Sequence, residues 1–282
     1  MTSTESWTTI IKPKNQLLQV DLGEIWQYRD LYTLFVKRDI ITQYKQTILG
    51  PSWFFIQPAL TTVMYMVVFG GIAGISTDGL PQPLFYLAGI VCWQYFADCL
   101  NKTSATFTAN QAIFGKVYFP RLIMPLSTVT SNLVRMGIQF LLFIAVYIYF
   151  ILMKVDVAPN MYILLIPVLI LMLAGLALGF GIIISSMTTK YRDLTILFTF
   201  VVQLWIYATP VIYPLSTMSP KMQKIMSLNP VTSIIETFKF GTLGVGTFSW
   251  GSLAYSFVFM LVLLAVGIVV FNKVQRSFMD TV

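Results

Sequence analysis

The sequence of 282 residues contains no histidine, two cysteines and few charged residues. Without histidine there is no Ser-His-Asp triad or Cys-His dyad, and haem ligation by histidine and most zinc sites are excluded. We therefore predict no catalytic residue and no metal site in this chain. Cys92 and Cys99 lie seven residues apart in one apolar stretch. On a helix that spacing is too long for a disulfide, so both are interpreted as small apolar side chains.

Charge is scarce throughout the chain. Charged residues make up 10% of the sequence and hydrophobic residues 57%, and the mean hydropathy is +0.77. Soluble domains carry about 25% charged residues, so an ordinary soluble enzyme is excluded. A membrane-spanning helix needs about 20 apolar residues, and a chain of this length has room for about six of them.

Six long apolar stretches are present, and non-helical backbone cannot face lipid. The predicted fold class is therefore all-α, a polytopic membrane protein with six transmembrane helices. We predict these helices near residues 50–74, 84–106, 124–150, 161–187, 194–213 and 250–272.

Lysine and arginine indicate the orientation of the helices. Six precede the first helix, three lie between the second and third, two between the fourth and fifth, and two after the sixth. The opposite side has four, which are Lys154, Lys221, Lys224 and Lys239. Because basic residues accumulate on the cytoplasmic side, we predict a multi-pass protein of the bacterial cytoplasmic (inner) membrane with both termini in the cytoplasm. This bias explains the net charge of +7 without a nucleic-acid partner.

Residues 24–45 predict a helix that lies along the membrane surface. Tyr28, Tyr32 and Phe35 share one side of a helical wheel, and Lys37 lies on the opposite side. Such moderate amphipathicity is typical of an interfacial helix.

Three divisions of the chain follow from these patterns. Residues 1–48 form a cytoplasmic N-terminal segment, residues 49–272 the transmembrane domain, and residues 273–282 a cytoplasmic tail. The outer connection at about 215–249 is too apolar for a solvated loop, which predicts short helices that dip into the outer interface of the membrane.

The chain lacks the residues of an ATP-hydrolysing P-loop. Its Gly115-Lys116 pair is followed by Val117, and Asn110 stands where the first glycine is required. If transport is driven by ATP, a partner subunit therefore binds the ATP and Mg²⁺, and this chain binds no cofactor.

Asp98 and Arg135 lie well inside predicted transmembrane helices, in the second and the third respectively. An unpaired charge at mid-bilayer costs about 2.5–3.5 kcal/mol on insertion scales, so each is expected to have a partner. A structural ion pair between adjacent helices is one interpretation. A substrate or proton site is the other.

Aromatic residues are frequent in the first and fifth predicted helices. They form an interfacial aromatic belt on one interpretation. On another, some line a passage for sugars, whose apolar faces stack on aromatic rings. The candidates for such a passage are Trp53, Phe54, Tyr65, Trp205, Tyr207 and Tyr213.

Short motifs occur in a characteristic order along the chain. They are Lys37-Arg38-Asp39, Leu49-Gly50-Pro51, Gln57-Pro58, Tyr118-Phe119-Pro120-Arg121, Tyr191-Arg192-Asp193, Thr209-Pro210 and Asn229-Pro230. This series resembles the type-2 ABC exporter permeases that move polysaccharides, a family of O-antigen, capsule and teichoic-acid exporters.

The resemblance implies a half-transporter, in which two copies of this chain form a homodimer and work with two copies of a separate ATPase subunit. It also implies a lipid-linked glycan as substrate, surrounding membrane lipids, and a cytoplasmic coupling segment at about 107–123. The ATPase contacts that it implies are Lys37, Arg38, Asp39, Lys116, Tyr118, Phe119, Pro120, Arg121, Tyr191 and Arg192. It further implies that the first and fifth transmembrane helices line the path and that the 215–249 region forms an outer gate.

O-antigen is the favoured substrate, and a teichoic-acid or capsular polysaccharide is the runner-up. A drug-efflux permease of the same fold is less favoured. A membrane-embedded transferase would need candidate acids and bases that the transmembrane helices lack. A secondary transporter or channel would need more coupling or selectivity residues than one Asp–Arg pair supplies.

Overall fold

The computed structural model describes residues 22–155, 157–191 and 193–277. Residues 1–21, Asp156, Arg192 and the last residues of the predicted tail lie outside the described residues. The described part consists of α-helices with short 3-10 and π-helical turns, and it contains no strand.

Twelve α-helices form in the described ranges. They are α1 Leu22–Gln27, α2 Arg29–Tyr44, α3 Trp53–Tyr65, α4 Gln82–Ser104, α5 Thr106–Ala109, α6 Gln111–Phe114, α7 Ile123–Leu152, α8 Ile166–Thr188, α9 Leu194–Trp205, α10 Pro220–Ser227, α11 Pro230–Leu243 and α12 Trp250–Ser277. Four 3-10 helices and one π-helix adjoin them, at Gly50–Ser52, Met66–Ile72, Met161–Leu165, Ile206–Ala208 and Leu215–Thr217.

Five of the described helical segments are long and apolar enough to cross a membrane. They are Gly50–Ile72, Gln82–Ser104, Ile123–Leu152, Met161–Thr188 and Trp250–Gln275. The prediction of an all-helical membrane protein is thereby confirmed. The predicted helix at 194–213 is shorter than expected, because its apolar helix covers Leu194–Ala208. At 1.5 Å per residue it is about 22 Å long, less than the ~30 Å of a hydrocarbon core.

Helix α4 lies at the centre of the bundle. In its most apolar window 83% of the residues are buried, and it packs against α3, α7 and α8. Glycines allow neighbouring helices to approach α8 closely, since a Cβ at Gly179 would lie 2.9 Å from Leu263 and one at Gly181 2.5 Å from Thr103. In the most apolar windows of the other four spans 11–33% of the residues are buried, so α4 is the axis on which the protomer is assembled.

Clusters of aromatic side chains mark the two ends of the bundle. The inner aromatic cluster, Phe35, Phe107, Phe114, Phe119 and Phe271, joins α2, the α4–α7 connection and the last turns of α12. The outer aromatic cluster joins the start of α8, the end of α11 and the start of α12, and consists of Tyr162, Phe240, Phe248 and Trp250. We call these the inner and outer ends. The chain therefore passes from the inner end to the outer end between α8 and α11, and α9 lies in that stretch.

Candidate functional site

Helix α2 is attached to the bundle through the side that the sequence predicted to be apolar. The Tyr32 hydroxyl donates a 2.5 Å hydrogen bond to Thr130 on α7. Phe35 is 5% exposed, and its ring centroid lies 5.7 Å from that of Phe119. The surface helix and the coupling segment are therefore parts of one packed unit.

The basic motif of α2 lies at the edge of this unit. Lys37 is exposed. Arg38 pairs with its neighbour Asp39 at 2.8 Å, and its guanidinium lies 4.8 Å from the Phe35 ring. Among the described residues the motif thus presents one exposed cation without an ion-pair partner and one neutralised pair, a composition suited to the charged rim of a docking surface.

Residues of the Tyr118-Phe119-Pro120-Arg121 motif point in different directions. Tyr118 is 54% exposed and donates a 3.1 Å hydrogen bond to Glu24 on α1. Partial burial and the adjacent Glu24 carboxylate raise the pKa of the Tyr118 hydroxyl. Phe119 is buried in the inner aromatic cluster, and Pro120 is half-buried. Lys116, just before the motif, is exposed.

Arg121 is directed into the protein. Its side chain donates a 2.8 Å hydrogen bond from Nη1 to the Gln275 carbonyl, and its guanidinium lies 5.5 Å from the Phe114 ring. The residue is 9% exposed, and burial lowers its pKa. A cation near the carbonyls of a helix C-terminus is stabilising, so Arg121 joins the coupling segment to the end of α12.

A third element of the inner end follows α8. Tyr191 is 55% exposed, and the Lys190 ammonium lies 5.3 Å from its ring. Together with Lys37, Lys116 and Tyr118, Tyr191 is among the candidate contact residues that the inner end leaves open for a partner. Arg192 is not among the described residues.

The structure brings Asp98 and Arg135 together. Arg135 Nη1 lies 2.7 Å from Asp98 Oδ2, and Nη2 donates a 2.7 Å hydrogen bond to Gln57 on α3. Gln94 donates a 3.0 Å hydrogen bond to Asp98, and the Arg135 guanidinium lies 5.8 Å from the Phe54 ring. These contacts favour a structural ion pair that joins α3, α4 and α7. The sequence analysis did not assign Gln57 to this group, although it noted Gln57-Pro58 as a motif.

The candidate path aromatics fall into two groups. Trp53 and Tyr207 are 46% and 56% exposed, on α3 and just beyond α9. Tyr65 and Tyr213 are half-buried, and the Tyr213 hydroxyl donates a 2.8 Å hydrogen bond to the Tyr207 carbonyl. These four side chains lie on the segments that the resemblance assigns to the path.

The remaining two aromatics make their contacts within the protomer. Phe54 is 7% exposed. The Trp205 ring packs edge-on against Phe96 and Phe180 with centroids 5.4 Å away, which attaches α9 to α4 and α8.

Two charged residues that the sequence analysis did not single out are buried near the outer end. Glu236 is 2% exposed and Lys239 0%. Lys239, counted above among the outer cations, thus lies inside the fold. The sequence signal that could have found them is that two charged residues lie three positions apart in an apolar stretch. Charges one turn apart on a buried helix require partners.

The sequence pattern of the ABC-2 type transporter family matches residues 30–243, which include the exposed inner-end candidates from Lys37 to Tyr191, the Asp98–Arg135 pair and all of α11. The chain belongs to this family. The ABC-2 chain is 28% identical over 265 residues to the O-antigen export system permease protein RfbA of Klebsiella pneumoniae, with 93% of this chain and 98% of that protein covered.

Two further relatives of this ABC-2 chain differ more. RfbA of Myxococcus xanthus is 26% identical over 219 residues, covering 77% of this chain and 81% of that protein. The polysialic acid transport protein KpsM of Escherichia coli is 22% identical over 248 residues, covering 86% of this chain and 93% of that protein. The resemblance to type-2 ABC exporter permeases is confirmed, and the chain is a transport subunit.

Proposed function

We propose that this permease exports a lipid-linked polysaccharide, with O-antigen the favoured substrate, across the cytoplasmic membrane. The observation that carries the proposal is the similarity to O-antigen export permeases over 93% of the chain. A capsular polysaccharide is the second candidate substrate, because the chain is also similar to KpsM. A teichoic acid is a further substrate of the same chemical class.

The energy source in this proposal is a separate ATPase subunit, which holds the ATP and Mg²⁺. The docking surface consists of the exposed inner-end side chains Lys37, Lys116, Tyr118 and Tyr191, with Phe35 and Phe119 packed beneath them. Buried aromatic anchors with a charged rim are typical of interfaces between subunits. Arg121 acts indirectly, because a displacement of the coupling segment reaches α12 through its hydrogen bond to Gln275.

The translocation path in this proposal forms between two copies of the chain. Helix α3, the π-helix that follows it and helix α9 expose apolar side chains, including Leu60, Ile72, Ile196 and Phe200. Trp53 and Tyr207 face outward on the same segments. A glycan hydroxyl that met hydrocarbon would cost several kcal/mol, and a tunnel of protein side chains removes that cost.

The sixth crossing of the membrane is made by α9 together with the irregular connector at residues 209–214. Helix α8, which precedes α9, ends at the inner end of the bundle, where the coupling segment also lies. Helices α11 and α12 meet at the outer end. Helix α9 is too short to cross alone, and the buried backbone of the connector completes the crossing. Non-helical backbone is tolerated at membrane depth only when protein surrounds it. With six crossings both termini lie on the same side of the membrane, which the distribution of lysine and arginine assigns to the cytoplasm in this proposal. Helices α10 and α11 form the outer gate region of the proposal.

The docking proposal is tested by co-purification with the ATPase subunit from bacterial membranes. Lys116→Glu should weaken recovery of the ATPase and reduce glycan export, while the abundance of the permease stays unchanged. Lys154→Glu, at an exposed position after α7, is the matched control and should leave both unchanged. Equal effects of the two variants would place the docking surface elsewhere. Transport by purified permease without an ATPase would overturn the proposed function.

A further inference from the structure

The connector at residues 209–214 has no regular secondary structure and is nevertheless buried. Thr209 and Val211 are 0% exposed and Ile212 is 2% exposed. Val211 approaches α4 at Gly89, where an added Cβ would lie 3.1 Å from the Val211 Cα. Buried backbone without a helix or strand has carbonyl groups that other parts of the protein must satisfy.

Helix α11 supplies donors to this stretch. The Lys239 ammonium donates a 2.6 Å hydrogen bond to the Pro210 carbonyl. Asn229, the N-cap residue of α11, donates from its amide to the Ala208 carbonyl at 2.9 Å and to Thr209 Oγ1 at 3.0 Å. Its own Oδ1 accepts from the Val231 N–H at 3.1 Å. The Thr209-Pro210 and Asn229-Pro230 motifs, distant in sequence, therefore meet at the end of α9.

Lys239 makes these contacts without an ionic partner. Within the described ranges, no carboxylate lies at ion-pair distance from its ammonium, and Glu236 one turn earlier accepts instead from the Thr247 N–H at 2.9 Å. The ammonium lies 3.6 Å from the centroid of the Phe85 ring on α4. A buried charge is costly unless it is compensated. The compensation here comes from Pro210 and Phe85, so the ammonium is bound at once to the connector and to the central helix.

We propose that Lys239 is a positioning residue for the export path, which holds the outer end of α9 in place between α4 and α11. The inference rests on the proposed function, because it assigns the path to α3 and α9. Tyr207 precedes the connector and Tyr213 lies within it, and the two are joined by the hydrogen bond from the Tyr213 hydroxyl to the Tyr207 carbonyl. The position of the Pro210 carbonyl therefore determines where both side chains lie.

The experiment uses the full permease co-expressed with its ATPase subunit. Lys239→Met keeps the length and apolar stem but removes the ammonium, and Lys239→Arg retains a cation and a donor. A cysteine at Tyr207 reports the position of the α9 end by its rate of labelling with a membrane-impermeant maleimide added from outside. A cysteine at Met153, which is 60% exposed after α7, is the control position. The native Cys92 and Cys99 are 1% and 0% exposed and give little background.

Lys239→Met should reduce export about tenfold or more, the factor that corresponds to one hydrogen bond to a charged group. The labelling rate at position 207 should change severalfold, whereas the rate at position 153 and the membrane abundance stay within about twofold. Lys239→Arg should restore export and the labelling rate towards the wild-type values.

Three results would overturn the proposal: wild-type export by Lys239→Met, unchanged labelling at position 207, or parallel changes at positions 207 and 153. The last would show that the lysine supports general stability. A low abundance of Lys239→Met with no rescue by Lys239→Arg would count against positioning as well. The labelling readout does not depend on the exported substrate, so failure of the wild-type complex to export a glycan would contradict the proposed function alone.

Discussion

At the inner end the buried material is aromatic and the lysines point outward, whereas at the outer end two charged side chains lie inside the fold. Phe35 and Phe119 pack beneath the exposed Lys37 and Lys116. Glu236 and Lys239 are buried in α11 and bond to irregular backbone. The inner end consists of short helices packed on aromatic side chains, and Lys37 and Lys116 stay exposed at its surface. At the outer end Lys239 and Glu236 bond to backbone groups inside the fold, whereas Lys221 on α10 stays exposed.

The largest expected effect concerns Arg121, the inner-end residue that departs from this pattern. Arg121→Glu would bury a carboxylate beside the Gln275 carbonyl, at a cost of about 5 kcal/mol in the free energy of unfolding. We expect a severe loss of permease from the membrane fraction, measured by immunoblotting. Lys116→Glu, five residues earlier, should leave the amount unchanged. Normal abundance of Arg121→Glu with loss of ATPase binding alone would place Arg121 on the docking surface and break the comparison.

The second effect separates two adjacent residues of one motif. Phe119→Ala empties part of the inner aromatic cluster and should lower stability by about 3–4 kcal/mol. Tyr118→Ala, at an exposed position, should cost about 0.5 kcal/mol. Thermal unfolding of the detergent-solubilised protein measures both, with a thiol-reactive dye that reports exposure of Cys92 and Cys99. Equal losses would mean that the motif is buried as a unit.

The third effect tests the close approach at the outer end. Gly89→Ala places a Cβ against the backbone of Val211 and should destabilise by about 1–3 kcal/mol through overpacking. Gly137→Ala is the matched control on α7, where an added Cβ meets nothing within 4 Å. The control should be neutral or more stable by up to about 1 kcal/mol, because alanine is the better helix former. Tolerance of both substitutions in the same unfolding assay would show that the connector is free to shift.

The smallest effect distinguishes charge from hydrogen bonding at Glu236. Glu236→Gln keeps an oxygen that accepts from the Thr247 N–H and should cost about 1 kcal/mol, the difference between a charged and a neutral acceptor. Glu24→Gln is the corresponding change at the inner end and should cost less, since its partner Tyr118 is exposed. A larger loss of stability for Glu24→Gln than for Glu236→Gln would contradict the expectation that the carboxylate matters more at the outer end than at the inner end.

Several features of the fold could be predicted from local sequence. The apolar stretches predict six transmembrane helices, and five segments of spanning length form where they predict them. Hydropathy adds along a helix and does not depend on its neighbours. The apolar side of α2 with Tyr32 and Phe35 follows from helical periodicity. The pairing of Asp98 with Arg135 was expected on energetic grounds, since an isolated charge inside a membrane is costly.

Other features could not be predicted in this way. Arg121 and Tyr118 belong to one motif of aromatic and basic residues, and nothing local indicates that one is buried and the other exposed. The short helix α9 could not be distinguished from a full-length one, because the connector that follows it is equally apolar. Lys239 was treated as an outer cation, since its partners Pro210 and Phe85 are remote in sequence.

Composition and periodicity by themselves determined that this protein is a helical membrane protein, and the order of its motifs indicated its family. Composition and periodicity are sums over residues that are neighbours in the sequence, so they can be read from any segment of the chain without knowing the fold. Only the tertiary structure decided which charged side chains are exposed and which are buried inside the bundle. Whether a charge is buried depends on donors and acceptors that only folding brings together, as Lys239 and the Pro210 carbonyl show.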